Sequence, residues 1–324
     1  MQPLSQSDRP VVSVILPFFN AERWLQETID SVVHQTFPDW ELLLVNDGST
    51  DGSALIAHQF ARAFPSRIRY LEHPGGVNRG AAPSRNLGIR SARGDFIAPI
   101  DADDVWMPGK LAEQLCVFKA HPELALVCGA TRYWSSWAGK PDFVVPTGHA
   151  QDKVLHPPIA TLSLYPLGRA PSPCPSDLLI RRSIVLAQGG FEEAFIGPLQ
   201  LYEDIAFLAK IFLAAPVYFS SQVWLNYRIH DDSCVMTVKR NGRYQEARKF
   251  FFSWFRRYID TTPVDPKVLV ALRRARLKQA IQQVVTIVRP VLARLPGVRG
   301  AANVLRRLHH GARRQFSSPL NGDG

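Results

Sequence analysis

The first 130 residues alternate strand-like and helix-like segments, an order that few folds accept. Aliphatic and β-branched runs at 11–16, 41–45, 68–71, 96–100 and 124–129 predict strands, those at 11–16, 41–45 and 96–100 buried and that at 68–71 short. Between them, 21–35 carries Leu25, Ile29, Val32 and Val33 at helical spacing, and 53–64 carries Leu55, Ile56 and Phe60. Both stretches read as helices with those side chains inward. Further helices are predicted over 84–92 and 110–120. Strands linked through helices pair in parallel, because a parallel pair needs a crossover. The expected class is α/β: a mostly parallel mixed sheet, Rossmann-like, flanked by helices. In such sheets ligands bind beyond the carboxyl ends of the strands.

Several strand ends carry polar motifs. The run Phe96-Ile97-Ala98-Pro99-Ile100 leads into Asp101-Ala102-Asp103-Asp104. Three carboxylates so close repel one another unless a cation lies among them. Mg2+ and Mn2+ take oxygen ligands, often one or two carboxylates plus substrate phosphates. A solvated loop with N-capping aspartates is the competing reading. The first strand ends in Pro17-Phe18-Phe19-Asn20, where Asn20 suits an N-cap. The second ends in NDGSTDGS, residues 46–53, whose glycines and small polar residues let backbone amides approach a ligand. Asp47 there is placed to accept from a base or ribose. An EF-hand is excluded, since the twelfth position from Asp47 is His58 instead of Glu. No GxxxxGK[ST] loop exists, nor a GxGxxG after the first strand. Arg85 and Asn86 are read as opening the helix at 84–92, where guanidinium and helix N-terminus both favour an anion. An exposed arginine is the plain alternative.

Taken in order, VSVILPFFNAERWLQETIDSVVHQTF, ELLLVNDGSTDGS and GAAPSRNLGIRSARGDFIAPIDADDVWMPGKLAEQ resemble the nucleotide-binding half of a family 2 glycosyltransferase of the GT-A fold. GGFEE (189–193), Tyr202-Glu203-Asp204 and YRIHDDS (227–233) are similar to that family's second half. The resemblance covers about 11–238 and implies roles for particular residues. Pro17, Phe19, Asn20, Asp47, Arg85, Asp101 and Ala102 fall to the nucleotide sugar. Asp103 and His230 fall to a divalent metal, Mn2+ or Mg2+, and Asp104 matches an extra acid. Asp204 falls to the catalytic base, although acids at a helix start also complement its dipole. Pro83-Ser84 departs from the family's usual small residue before Arg-Asn. The implied reaction is inverting, metal-dependent transfer of one sugar from a nucleotide-diphosphate sugar, UDP by family frequency, with dTDP and GDP as the alternatives. The acceptor would be a cell-surface or lipid-linked glycan. Without a QxxRW motif, a processive synthase is not expected. A nucleotidyltransferase would use the same cation logic but release pyrophosphate. A non-enzymatic membrane-surface adaptor acting through the tail is the third reading.

Between 131 and 175 the periodicity weakens and prolines crowd, which reads as an irregular insertion over the site. A strand at 177–180, helices at 183–188 and 202–214, and short strands at 217–219 and 223–227 follow. The charge then changes sign. Residues 239–324 carry 19 Lys and Arg against 4 Asp and Glu, while 1–238 carry 19 against 24. The expected organisation is a catalytic domain over 1–238 and a basic helical extension over 239–324. Within the first, 11–120 would bind nucleotide and 121–238 the acceptor. Leu277, Ile281, Val284 and Val288 recur at helical spacing among arginines, and Arg306, Arg307, Arg313 and Arg314 surround Val304, Leu305 and Leu308. Such helices lie on anionic membranes or pack on a neighbouring domain. Nucleic acid is disfavoured, since no nucleic-acid motif accompanies the charge. Four scattered cysteines, no signal-peptide pattern in MQPLSQSDRP and no run of 18 apolar residues lead us to expect a cytoplasmic protein, peripheral at most at the inner membrane face.

Overall fold

The computed structural model describes residues 9–231 and 233–292. Its centre is one mixed sheet. Strands β1 (Val12–Phe18), β2 (Trp40–Asn46), β3 (Ile68–Glu72) and β4 (Phe96–Pro99) pair in parallel in the order β3-β2-β1-β4. β5 (Val105–Trp106) follows, then β6 (Leu126–Trp134), β7 (Phe143–Val145), β8 (Lys153–Leu155), β9 (Leu179–Arg181) and β10 (Val217–Arg228). β9 runs antiparallel between β4 and β6, β10 lies parallel to β6, and β5 closes the order against β10. This is the expected α/β class.

β1 and β2 are buried along their whole length, because helices cover both faces. Alternate side chains serve opposite layers. Val14, Leu16, Leu42 and Leu44 meet α1 (Leu25–Val33), α2 (Ser53–Ala63) and α4 (Lys110–Ala120). Ile15 and Leu43 meet α3 (Ala81–Ser91) on the other side. Gly88 permits that contact: a Cβ there would lie 2.5 Å from Cγ2 of Ile15. Pro17 is tolerated inside β1 because the pairing with β4 ends at Ile15, so no ladder bond is lost.

The second half adds α5 (Ile159–Ser163), α6 (Arg182–Ala187) and α7 (Glu203–Ala214). α8 (Cys234–Arg240), α9 (Tyr244–Thr261) and α10 (Pro266–Leu292) complete the described chain. A third apolar cluster crosses residue 238, packing Phe195, Tyr202 and Ala206 against Phe251, Phe255, Val268 and Leu272.

The structure corrects several expectations. The stretch 131–175 is not irregular throughout: β7 extends the sheet from β6, and β8 pairs with β10. The strands expected at 217–219 and 223–227 are one strand, β10, with register shifts between Phe219 and Leu225. Leu55 does not point inward. It is 62% exposed, and Ser53 and Ala57 form the buried face of α2. α3 begins at Ala81, so Arg85 lies in its second turn instead of opening it. Pro83 falls in the first turn, where a missing N–H costs nothing. Asn20 does not cap α1, which begins at Leu25 without a side-chain cap bond. The basic segment around 304–314 lies outside the described residues.

Candidate active site

The polar motifs gather at the carboxyl ends of β1, β2 and β4, as the topology requires. Asn20 has φ +49° and ties two loops together: its Oδ1 accepts from Thr50 N at 2.8 Å, and its N–H donates to Ser49 Oγ at 3.1 Å. Phe19 beside it is half exposed, and Pro17 is buried. Asp47 is buried and fixes the approach to α3, accepting from Arg79 N at 2.7 Å and Gly80 N at 2.9 Å. Gly48 has φ +79°, and a Cβ there would meet Asn78 N at 2.7 Å. The second loop therefore lies directly against 76–78.

From α3, the buried Arg85 bonds to two acids from distant parts of the chain. It donates to Asp101 Oδ1 at 2.5 Å and to Glu203 Oε1 through its other terminal nitrogen. Its guanidinium lies 5.2 Å from the Phe191 ring centre. Both carboxylates hold the arginine firmly in its charged form. Burial pushes Glu203 up to about 7 despite the opposing pull of Arg85. Burial likewise pushes Asp204 up to about 6, with the Ile205 N–H bond and Arg85 pulling the other way. Asn86 holds the GGFEE segment, accepting from Phe191 N and donating to Phe191 O, both at 2.9 Å. Gly190, at φ +69°, leaves room for that amide: a Cβ would lie 2.5 Å from Asn86 Oδ1.

The acidic turn divides by burial. Asp101 and Asp103 side chains are 30% and 31% exposed. Asp104 is fully buried, accepting from Ser176 Oγ at 2.5 Å and Arg228 N at 3.0 Å, and burial beside Asp103 and Asp101 raises its carboxyl strongly. Its role is to anchor the turn. Thr28 Oγ1 pins the same turn to α1, donating to Ala102 O at 3.0 Å and Asp104 O at 2.9 Å. His230 Nε2 lies 2.8 Å from Asp103 Oδ2. Among the described residues no three His, Cys, Asp or Glu side chains form a complete metal cage. A carboxylate and an imidazole, both partly accessible, nonetheless fit an open site in which phosphate oxygens supply the remaining ligands.

The structure thus brings Arg85, Asp101, Glu203 and Asp204 together, and Asp103 with His230. Pro17, Phe19, Asn20 and Asp47 line the neighbouring loops. Sequence reasoning missed Arg228. It donates to Asp103 O at 2.8 Å and to Glu27 Oε2 at 2.6 Å, and its guanidinium lies 4.4 Å from the Trp24 ring centre and 4.3 Å from that of Trp134. Trp137 packs edge-on against Trp24 at 5.1 Å.

Residues 13–185 match the model of glycosyl transferase family 2, and the chain belongs to that family. EpsE of Bacillus subtilis (strain 168), which carries a glycosyltransferase name, is 38% identical over 118 residues, 36% of this chain and 42% of EpsE. WfgD of Escherichia coli, a UDP-Glc:alpha-D-GlcNAc-diphosphoundecaprenol beta-1,3-glucosyltransferase, is 39% identical over 108 residues, 33% of this chain and 41% of WfgD. The aligned segments therefore span less than half the length of both relatives. Among solved structures, S. aureus TarS 1-349 in complex with UDP-GlcNAc aligns at TM-score 0.61 and 16% identity, covering 94% of this chain and 87% of TarS 1-349. The mannosyltransferase PcManGT from Pyrobaculum calidifontis, in complex with GDP-Man and Mn2+, aligns at 0.57 and 18%, covering 95% and 88%. At such identities these neighbours show the fold alone, and it is GT-A.

Proposed function

We propose that this chain is an inverting glycosyltransferase that moves one sugar from a nucleotide-diphosphate sugar, of the UDP class, to a hydroxyl of a glycan acceptor. The observation that carries this reading is the Arg85 bridge. One guanidinium joins Asp101, at the end of the donor-side strand β4, to Glu203, at the start of α7. Asp204 thereby stands beside the donor turn.

In this reading Asp204 removes the acceptor proton as the acceptor oxygen bonds to the anomeric carbon. The bond from that carbon to the diphosphate oxygen breaks, and the nucleoside diphosphate leaves with the electron pair. A carboxyl held at about 6 is ionised at neutral pH yet basic enough to take a proton. One base and one direct displacement give inversion at the anomeric carbon. Asp47, Asn20, Pro17 and Phe19 enclose the nucleoside, and Asp101 with Ala102 faces the ribose. Asp103 and His230 would hold a divalent cation, Mn2+ or Mg2+, which when bound neutralises charge on the departing diphosphate. Recognition of a diphosphate-linked lipid glycan is reported in the name of WfgD and supports a lipid-linked or cell-surface acceptor here. Catalysis would take place in the cytoplasm or at the inner membrane face.

The test is product analysis with UDP-sugars and a mixed glycan-lipid acceptor pool. The reading expects UDP release that depends on acceptor and is slowed by about 10²–10⁴ in Asp204→Asn. Release of pyrophosphate from a nucleoside triphosphate would replace it with a nucleotidyltransferase.

A further inference from the structure

We propose that α10 docks this protein on an anionic membrane surface through its outward face, an inference that stands apart from the transfer reaction. The helix has two apolar faces. One is buried against the rest of the molecule through Val268, Leu272, Ala275 and Gln279, and Gln279 Nε2 donates to Gln245 O at 3.1 Å. This contact fixes the rotation of the helix about its axis. Val270, Leu277, Ile281 and Val284 point the other way and are 44%, 63%, 52% and 57% exposed.

At 100° per residue these four side chains share an arc of about 60°, and Val270 to Val284 spans about 21 Å along the axis. Arg273 and Arg274, both exposed, fall just outside the arc on opposite sides. The 27 residues of α10 contain six Lys and Arg and no Asp or Glu. An aliphatic stripe edged by cations matches the two layers of an anionic bilayer surface, acyl chains below and phosphates around them. The chain continues beyond the described residues with six more arginines and one aspartate over 293–324.

Charge decides between the occupants. A second copy on this face would set arginines against arginines, with no acid on α10 to relieve them. A nucleic acid would satisfy the arginines and leave the aliphatic stripe without a partner. No helix among the described residues is long and apolar enough to cross a membrane, so this helix would lie in the interface plane.

The experiment uses the full chain and co-sedimentation with vesicles of phosphatidylcholine alone or mixed with phosphatidylglycerol. Wild type should bind the mixed vesicles, bind more weakly as salt is raised, and ignore pure phosphatidylcholine. Leu277→Glu/Ile281→Glu should lose at least tenfold in partitioning with an unchanged melting curve, since both side chains face solvent. Arg273→Gln/Arg274→Gln should lose about thirtyfold, roughly fivefold per basic residue near the surface. Three results overturn the proposal: no binding of wild type to anionic vesicles, both variants binding as wild type does, or a wild-type dimer that the Leu277→Glu/Ile281→Glu change splits. The second result would assign binding to 293–324, and the third would make the face an interface between copies.

Discussion

Replacing Arg85 by Met removes the cation that holds Glu203 and Asp101 together while keeping a side chain against Phe191. The cost should depend on pH in a way that reports the bridge. Glu203 is almost fully buried, and in the native protein its carboxyl is raised to about 7 from an ordinary 4.5. For a carboxyl raised on folding, the stability penalty is absent below the unfolded value. It grows as pH rises towards the folded value and is constant above it. Without Arg85 the folded value climbs further, so the penalty keeps growing past pH 7 at about 1.4 kcal/mol per pH unit. Loss of the charged hydrogen bond to Asp101 adds a pH-independent cost of about 2 kcal/mol. Urea unfolding followed by tryptophan fluorescence should therefore show Arg85→Met less stable by about 2 kcal/mol at pH 6, and by about 3–4 kcal/mol at pH 8. Adding Glu203→Gln should remove the larger part of the pH dependence, leaving the part that Asp204 contributes once Arg85 no longer pulls its carboxyl down. A destabilisation that is flat from pH 6 to pH 9, or unaltered by Glu203→Gln, would refute the reasoning.

Other outcomes follow from the same geometry. Asp204→Asn should lower kcat by about 10²–10⁴ while leaving donor binding intact. In wild type, kcat should fall as pH drops through about 6, where Asp204 takes up its proton, and that acid limb should vanish from the residual activity of the variant. Gly190→Ala should destabilise by about 2 kcal/mol or more in a melting assay, because it adds positive-φ strain to a clash with Asn86. Leu55→Ser should change stability by less than about 0.5 kcal/mol, whereas Ile29→Ala, in the buried layer under β1, should cost about 2–5 kcal/mol by urea unfolding.

Much of the nucleotide-binding half was legible because its elements are long, periodic and local. α4 matches its expected span residue for residue, and β1, β2 and β3 fall within two residues of theirs. Three of the shortest strands were not legible: β5, β7 and β8 are too short to show alternation and exist because β10 and β6 offer them ladder partners. β10 looked like two strands because the register shifts near Ser220 break its alternation. The inward face of α2 was misread because small residues, Ser53 and Ala57, make the close contact and hydropathy does not flag them. At the site, the aspartates at strand ends carried their own local signal. The Arg85–Glu203 contact joins residues 118 positions apart, and the Arg228–Glu27 pair 201 apart. Nothing local in a sequence marks such pairs. Arg228 stood inside a quoted motif, but its place between Trp24 and Trp134 depends on where β10 runs against the acidic turn.

The most direct test of the account is calorimetric titration of UDP, GDP, dTDP and CMP, each with and without Mn2+, into wild type and Asp103→Ala. The account predicts that UDP binds wild type only with Mn2+ and that the variant loses the metal-dependent component. Absence of binding by every nucleotide in both metal conditions, or UDP binding that is indifferent to Mn2+ and to Asp103, would contradict it.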